Sequence, residues 1–206
     1  MRTLTTLTTA AALALALAAC QKATTAVTAE DMSMGNPKAP VTVIEYASAS
    51  CPHCADWNKD VFPAFKAKYV DTGKARYVLR EALTGEPSIA AAGFLTARCA
   101  GKDKYFQVLD ATYRAQPEMF NGGDPHAVLL RIAQSAGLTD AQFNACITNE
   151  AAMNALNARW EHYMKDDHIT GTPTYVINGK VYDKGELTMA QMDQAMAQAA
   201  AGAKGA

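Results

Sequence analysis

The sequence predicts an α/β fold in which a βαβ unit is separated from a closing ββα unit by a long helical insertion. Three observations predict it. Val41-Thr42-Val43-Ile44-Glu45-Tyr46-Ala47 is a run rich in β-branched residues, bounded by Pro40 and Ser48, and a helical pattern follows it. From Pro87 to about Asp167 the pattern is helical throughout. Strand signals then return at Thr174-Tyr175-Val176-Ile177, and Asn178-Gly179 marks a two-residue hairpin turn.

The elements follow in order. Pro52 opens a helix at a position where its missing N–H costs nothing. Cys54, Trp57, Val61 and Phe65 recur at helical spacing as a buried stripe, and Pro63 should kink that helix. Gly73 ends it, and Ala75 to Glu81 is a second strand. Five helices are expected next: Ser88 to Ala100, Lys102 to Arg114, one started by Asp124-Pro125 and stopped by Gly137, one capped by Thr139-Asp140, and Ala151 to Lys165. Lys180-Val181-Tyr182 is the return strand of the hairpin, and Thr188 caps a last amphipathic helix.

Before this domain the chain reads as an exported protein. Residues 1–20 carry one charge, Arg2, and an apolar run from Ala10 to Ala19 that is short for a membrane span. The run ends Leu17-Ala18-Ala19-Cys20, which resembles a bacterial lipobox with Cys20 as the lipidated residue; cleavage after a nearby small residue is the competing reading. Residues 21–40 are expected to be a polar linker. The domain then comprises 41–84 and 168–201, with 85–167 as the inserted helical subdomain. The expected location is the periplasm, with an anchor if Cys20 carries lipid.

Of 206 residues half are apolar and the formal net charge is −1, with no Lys/Arg cluster, so nothing favours a nucleic-acid partner. Export makes disulfides durable. Cys51 and Cys54 then form one pair, close in sequence, and Cys99 and Cys146 a distant one inside the insertion. For the distant pair a structural brace is favoured over a regulatory disulfide.

Cys51-Pro52-His53-Cys54 lies where a strand feeds a helix. Cys51 falls at the positive end of that helix, where free N–H groups favour a thiolate, and protonated His53 adds charge. Cys54 lies on the same helix face within disulfide reach and deeper in the stripe. A lone CxxC also suits half a zinc site or a structural staple, but no second Cys/His pair at ligand spacing accompanies it. No metal and no cofactor are expected. His126 and His162 read as surface groups. His168, just before the Pro173 loop, is a minor candidate for positive potential at the site. Trp57 and Trp160 read as core or groove residues.

Together these residues resemble the DsbA-like branch of the thioredoxin superfamily, from about Gly35 to the last helix. The resemblance rests on Val43-Ile44-Glu45-Tyr46 leading into Cys51-Pro52-His53-Cys54, on the helical insertion, and on Gly171-Thr172-Pro173-Thr174. It implies a thioredoxin fold, a cis-Pro173 lying against the dithiol, and a Thr172 backbone that pairs with an extended client segment. It also implies that Glu45 is a buried acid that relays a proton to Cys54, rather than a solvent-facing strand end. A Cys99–Cys146 pair in this context occurs in some relatives and not in others. The implied activity is thiol–disulfide exchange, with an oxidase favoured over an isomerase or reductase. A copper-binding or chaperone-like module is the reading from a different class. Expected partners are reduced exported proteins and a membrane-embedded, DsbB-like redox partner; the chain is expected to be a monomer.

Overall fold

The computed structural model describes residues 26–203, so the export signal and Cys20 lie outside the described residues. Five strands form one sheet in the order β1-β3-β2-β4-β5. They are β1 (Met32–Gly35), β2 (Val41–Ala47), β3 (Ala75–Glu81), β4 (Thr174–Ile177) and β5 (Lys180–Tyr182). β2 and β3 run parallel, as a βαβ unit requires, and the remaining pairs are antiparallel.

β1 corrects the linker expected over residues 21–40. Met32 pairs with Leu79 and Gly35 with Arg76 at the sheet edge. Four residues with no β-branched side chain carry little strand signal. The neighbouring Asp31 reads as solvated, yet it is buried because Arg80 Nε donates to its Oδ1 at 3.2 Å.

The central strands are buried on both faces. Val41, Val43, Ala47, Tyr77, Leu79, Tyr175 and Ile177 belong to the large cluster that also contains Cys54 and Trp57. Ile44, Tyr46, Val78 and Val176 point the other way, toward Tyr163 and Trp160. By this alternation Glu45 points into the large cluster, under the first helix.

That helix, α1 (Pro52–Asp60), ends three residues before Pro63; a short α2 (Phe62–Phe65) and a π turn (Lys66–Val70) follow. The expected kink is therefore a break. The insertion consists of α3 (Pro87–Cys99), α4 (Tyr105–Phe120), α5 (Pro125–Ser135), α6 (Asp140–Ile147) and α7 (Glu150–Lys165), and α8 (Met189–Ala203) closes the chain. Thr139 and Gln142 complete a capping box at α6. Asn178 and Gly179 both adopt positive φ, as the tight hairpin requires. α4 outruns its expected end at Arg114 by six residues and carries Pro117 within it. Gln116, buried, holds that extra length by donating from Nε2 to the carbonyls of Ala49 and Cys51.

The insertion shares the large core cluster with the sheet. Two buried charge clusters fasten it there. Glu81, at the end of β3, accepts from Arg98 of α3, Arg159 of α7 and Tyr105 of α4. Arg80, one residue earlier, binds Asp31, Asp167 and the Tyr46 hydroxyl on the opposite face. Cys99 and Cys146 form a disulfide between the ends of α3 and α6.

Candidate active site

The loop from Ser48 to Ser50 carries the chain from β2 into α1 and is fixed from below. Ser48 and Ser50 hydroxyls both donate to the Thr84 carbonyl, at 2.8 and 2.9 Å. Gly85, at φ +74, lets the backbone pass this close: a Cβ there would meet Ser50 Oγ at 3.0 Å. Cys51 is the N-cap of α1 and has no side-chain cap bond, and Pro52 occupies the first turn.

The Thr172–Pro173 bond is cis. It brings Thr172 against the dithiol, where Cys51 Sγ donates to the Thr172 carbonyl at 3.4 Å. The Thr172 hydroxyl pairs with Thr84 Oγ1 at 2.6 Å, which ties the cis-proline loop to the loop that holds Ser48 and Ser50. The structure thus brings Cys51, Pro52, His53, Cys54, Thr172, Pro173 and Glu45 to one end of the sheet.

The two sulfurs differ in kind. Cys51 is pulled down from the ordinary 9.0 to about 6. A hydrogen bond from the Cys54 thiol is the largest cause; burial opposes it, and the Thr172 side chain and the His53 and Cys54 backbone N–H groups add to it. Cys54 has no exposed surface, and that burial pushes its thiol well above the usual range. Both are free thiols. The helix N–H groups expected to favour the Cys51 thiolate do act, but as secondary donors.

His53 turns outward. Its Nδ1 lies 2.5 Å from Glu186 Oε1, with side chains 71% and 36% exposed. That contact raises the imidazole pKa. Asp56 joins them, so that three exposed ligand atoms lie within 4.8 Å of one another, a loose set for a cation.

Glu45 is 2% exposed and accepts from Tyr77 Oη at 2.5 Å. Burial lifts its pKa from 4.5 to about 8; the Tyr77 bond lowers it in part, and the Cys51 charge adds to the rise. Trp57 is core, 1% exposed, with its indole N–H on the Leu187 carbonyl at 2.9 Å. His126 and His162 are surface groups, bonded to Asn144 and Asp166. His168 is exposed with φ 56. Sequence reasoning missed two residues. Gln116 braces the Cys51 loop but reads as a surface amide near a helix-breaking proline. Glu186 holds His53 from 133 residues away, and no local pattern marks it.

A thioredoxin family model matches residues 27–198. The chain belongs to the thioredoxin family, in its DsbA-like branch. It is 34% identical over 159 residues to the "Putative protein-disulfide oxidoreductase RC0029" of Rickettsia conorii, covering 77% of this chain and 57% of that one. It thus spans little more than half the length of that relative. It is 26% identical over 164 residues to the thiol:disulfide interchange protein DsbL of Escherichia coli, covering 72% of this chain and 73% of that one. Among solved structures, alpha-DsbA1 of Wolbachia pipientis superposes with a TM-score of 0.76 at 27% identity, over 86% of this chain and 94% of the other. Among the described residues no helix is long and apolar enough to cross a membrane.

Proposed function

We propose that this chain is a thiol–disulfide oxidoreductase that acts as a dithiol oxidase on exported proteins in the periplasm. One observation carries the reading: Cys51 held near 6 beside a Cys54 held far higher. A stabilised Cys51 thiolate stabilises the reduced enzyme, so the disulfide form is an oxidant. The same thiolate is a good leaving group.

The cycle follows. A client thiolate attacks Cys51 Sγ, the Cys51–Cys54 bond breaks, and its electron pair leaves on Cys54, which takes up a proton. The client is then joined to Cys51 as a mixed disulfide. The client's second thiolate attacks its own bound sulfur and expels Cys51 as a thiolate. The client leaves oxidised by two electrons and the enzyme holds them. A membrane-embedded redox partner removes them. The Thr172 backbone, beside Cys51, offers an extended client segment the hydrogen bonds of an added strand. The Cys99–Cys146 disulfide is a structural brace in this reading. The enzyme works as a monomer, and Cys20, if lipidated, tethers it to the membrane surface.

Thr172 before the cis-proline favours a second reading, because DsbA-like oxidases often carry Val there; the enzyme would then be an isomerase or reductase kept as the dithiol. Two measurements test the readings. Cys54→Ser leaves Cys51 able to attack client disulfides with no second enzyme thiol to release them, so cells producing it should accumulate client proteins disulfide-bonded to Cys51 in either reading. Alkylation of the wild-type protein in cells should find the Cys51–Cys54 pair oxidised. A mostly reduced pair would transfer the assignment to the isomerase or reductase, and an absence of mixed disulfides would remove exchange altogether.

A further inference from the structure

The exchange cycle gives no task to the group of charges that His53 joins outside the dithiol. Its Nδ1 lies 2.5 Å from Glu186 Oε1, and with Asp56 these make three ligand atoms within 4.8 Å of one another. All three residues are exposed. Other surface carboxylates have a Lys or Arg of their own: Asp193 takes Lys68, and Glu118 takes Arg131. Among the described residues no Lys or Arg pairs with Asp56 or Glu186. One imidazole therefore faces two carboxylates. Even protonated, it leaves one negative charge uncompensated.

The backbone beneath this group is fixed from inside. His53 and Asp56 stand one turn apart on α1, so their side chains share a face. Glu186 comes from the segment that leads into α8. The residue after Asp56 is bonded to the residue after Glu186: Trp57 Nε1 donates to the Leu187 carbonyl at 2.9 Å, and both side chains are buried. Two buried anchors thus set the spacing of the exposed ligands above them. One imidazole nitrogen with two carboxylates suits zinc and its neighbours, whereas calcium and magnesium take oxygen sets. Ligand atoms on a tetrahedral zinc stand roughly 3.4 Å apart. The His53–Glu186 contact has to open by roughly 1 Å to reach that spacing, which exposed side chains can do, and water fills the fourth position. The start of α1 opposes a cation with about half a positive charge, against two full negative ones.

We propose that His53 Nδ1, Asp56 and Glu186 form a surface site for a divalent transition-metal ion of the zinc class. None of the three ligands is a sulfur, so the site does not need the dithiol and is separate from chelation by Cys51 and Cys54. Binding releases any proton on Nδ1 to solvent, and the freed lone pair goes to the metal. The bound ion joins α1, in the βαβ unit, to the segment that enters α8, in the closing ββα unit. It therefore clamps together the two sequence-distant halves of the domain at the edge of the dithiol, and binding to the folded state alone stabilises that state.

The experiment uses the full chain with Cys51 and Cys54 oxidised to their disulfide and every remaining thiol alkylated, so that no sulfur can take the metal. After chelator treatment, zinc is titrated in by calorimetry at about pH 8, where protons compete least for the imidazole. One ion should bind per chain at micromolar zinc. Asp56→Asn and Glu186→Gln keep shape and remove charge; each should weaken binding at least tenfold. Zinc should raise the melting midpoint of the wild type and leave that of Glu186→Gln unmoved. In ¹H–¹⁵N spectra of the histidine rings, zinc should shift His53 Nδ1. His162, which faces the carboxylate of Asp166, is the internal control and should stay still while His53 saturates. An absence of saturable one-to-one binding would overturn the proposal. So would two variants that bind within about twofold of wild type, against the tenfold loss expected of a missing ligand, or a zinc shift confined to another histidine.

Discussion

Lowering the pH should weaken the enzyme's preference for the dithiol state, by an amount the structure sets. Cys51 titrates near 6 in the fold, against 9.0 for an ordinary thiol. The folded value is the depressed one. The stabilisation it brings to the reduced form is therefore complete only above the ordinary value, partial at neutrality, and lost as the pH falls through 6. Linkage across these two values gives about 1.4 kcal/mol at pH 7 and almost nothing at pH 5. Solvent on the sulfur's open side screens part of this, so about 1 kcal/mol is expected. Glu45, held near 8, stays protonated across this range and adds little slope. The assay equilibrates the protein with reduced and oxidised glutathione from pH 5 to 8, quenches with acid, and counts free thiols. The equilibrium constant for enzyme reduction by glutathione should rise roughly five- to tenfold between pH 5 and 7, since 1.4 kcal/mol is a factor of ten. A constant that stays flat over that interval would refute a Cys51 thiolate, and with it the oxidase reading.

Other outcomes follow from the same geometry. The Cys99→Ser/Cys146→Ser variant opens a loop of 47 residues and should lose about 4 kcal/mol in urea unfolding by loop-closure entropy, while glutathione exchange at Cys51 is unchanged; altered exchange would make the disulfide regulatory. Glu45→Gln removes a carboxyl that resists ionisation, so its stability gain over wild type should grow from zero near pH 4.5 to at most about 3 kcal/mol at pH 7, while its exchange slows. Glu81→Gln leaves Arg98 and Arg159 without their shared counter-ion and should cost about 3 kcal/mol in the same unfolding assay. His53→Ala should raise the Cys51 pKa by less than about half a unit, under ~0.7 kcal/mol, because the imidazole is exposed and committed to Glu186; a rise of a full unit in a thiolate-absorbance titration would restore His53 as the main tuner.

What the chain revealed in advance was whatever local patterns encode. The β-branched run of β2, the capped starts of α5 and α6, the Asn178-Gly179 turn and the CxxC at a helix start are each written within a few residues. The cis-proline beside Cys51 and the burial of Glu45 became legible only through resemblance, because no local rule gives either one. β1 stayed hidden because its signal is tertiary: Met32 pairs with Leu79, and Asp31 is tolerable inside only because Arg80 arrives from the next strand. α4 ran past Pro117 for a similar reason, since Gln116 found two carbonyls that were invisible along the helix itself. Glu186 is the same lesson at the site: its partner His53 lies on another element, and a residue's chemistry there is set by what surrounds it.

The preference of Cys51 for the anion is best understood as a product of the reaction. Its strongest stabiliser is the Cys54 thiol proton, and that donor does not exist while the two sulfurs are bonded. Breaking the disulfide creates it, provided Cys54 acquires a proton. Cys54 has no solvent-facing surface, and we propose that Glu45, a buried acid on this face, supplies its proton. Burial of Glu45 keeps it protonated at neutral pH, at a cost to the fold. In the proposed cycle that proton passes to Cys54, the Cys54 proton steadies Cys51, and a steadied Cys51 lets the client leave oxidised. The helix start alone would make a thiol somewhat acidic; the Cys54 thiol that donates to Cys51 lowers it further.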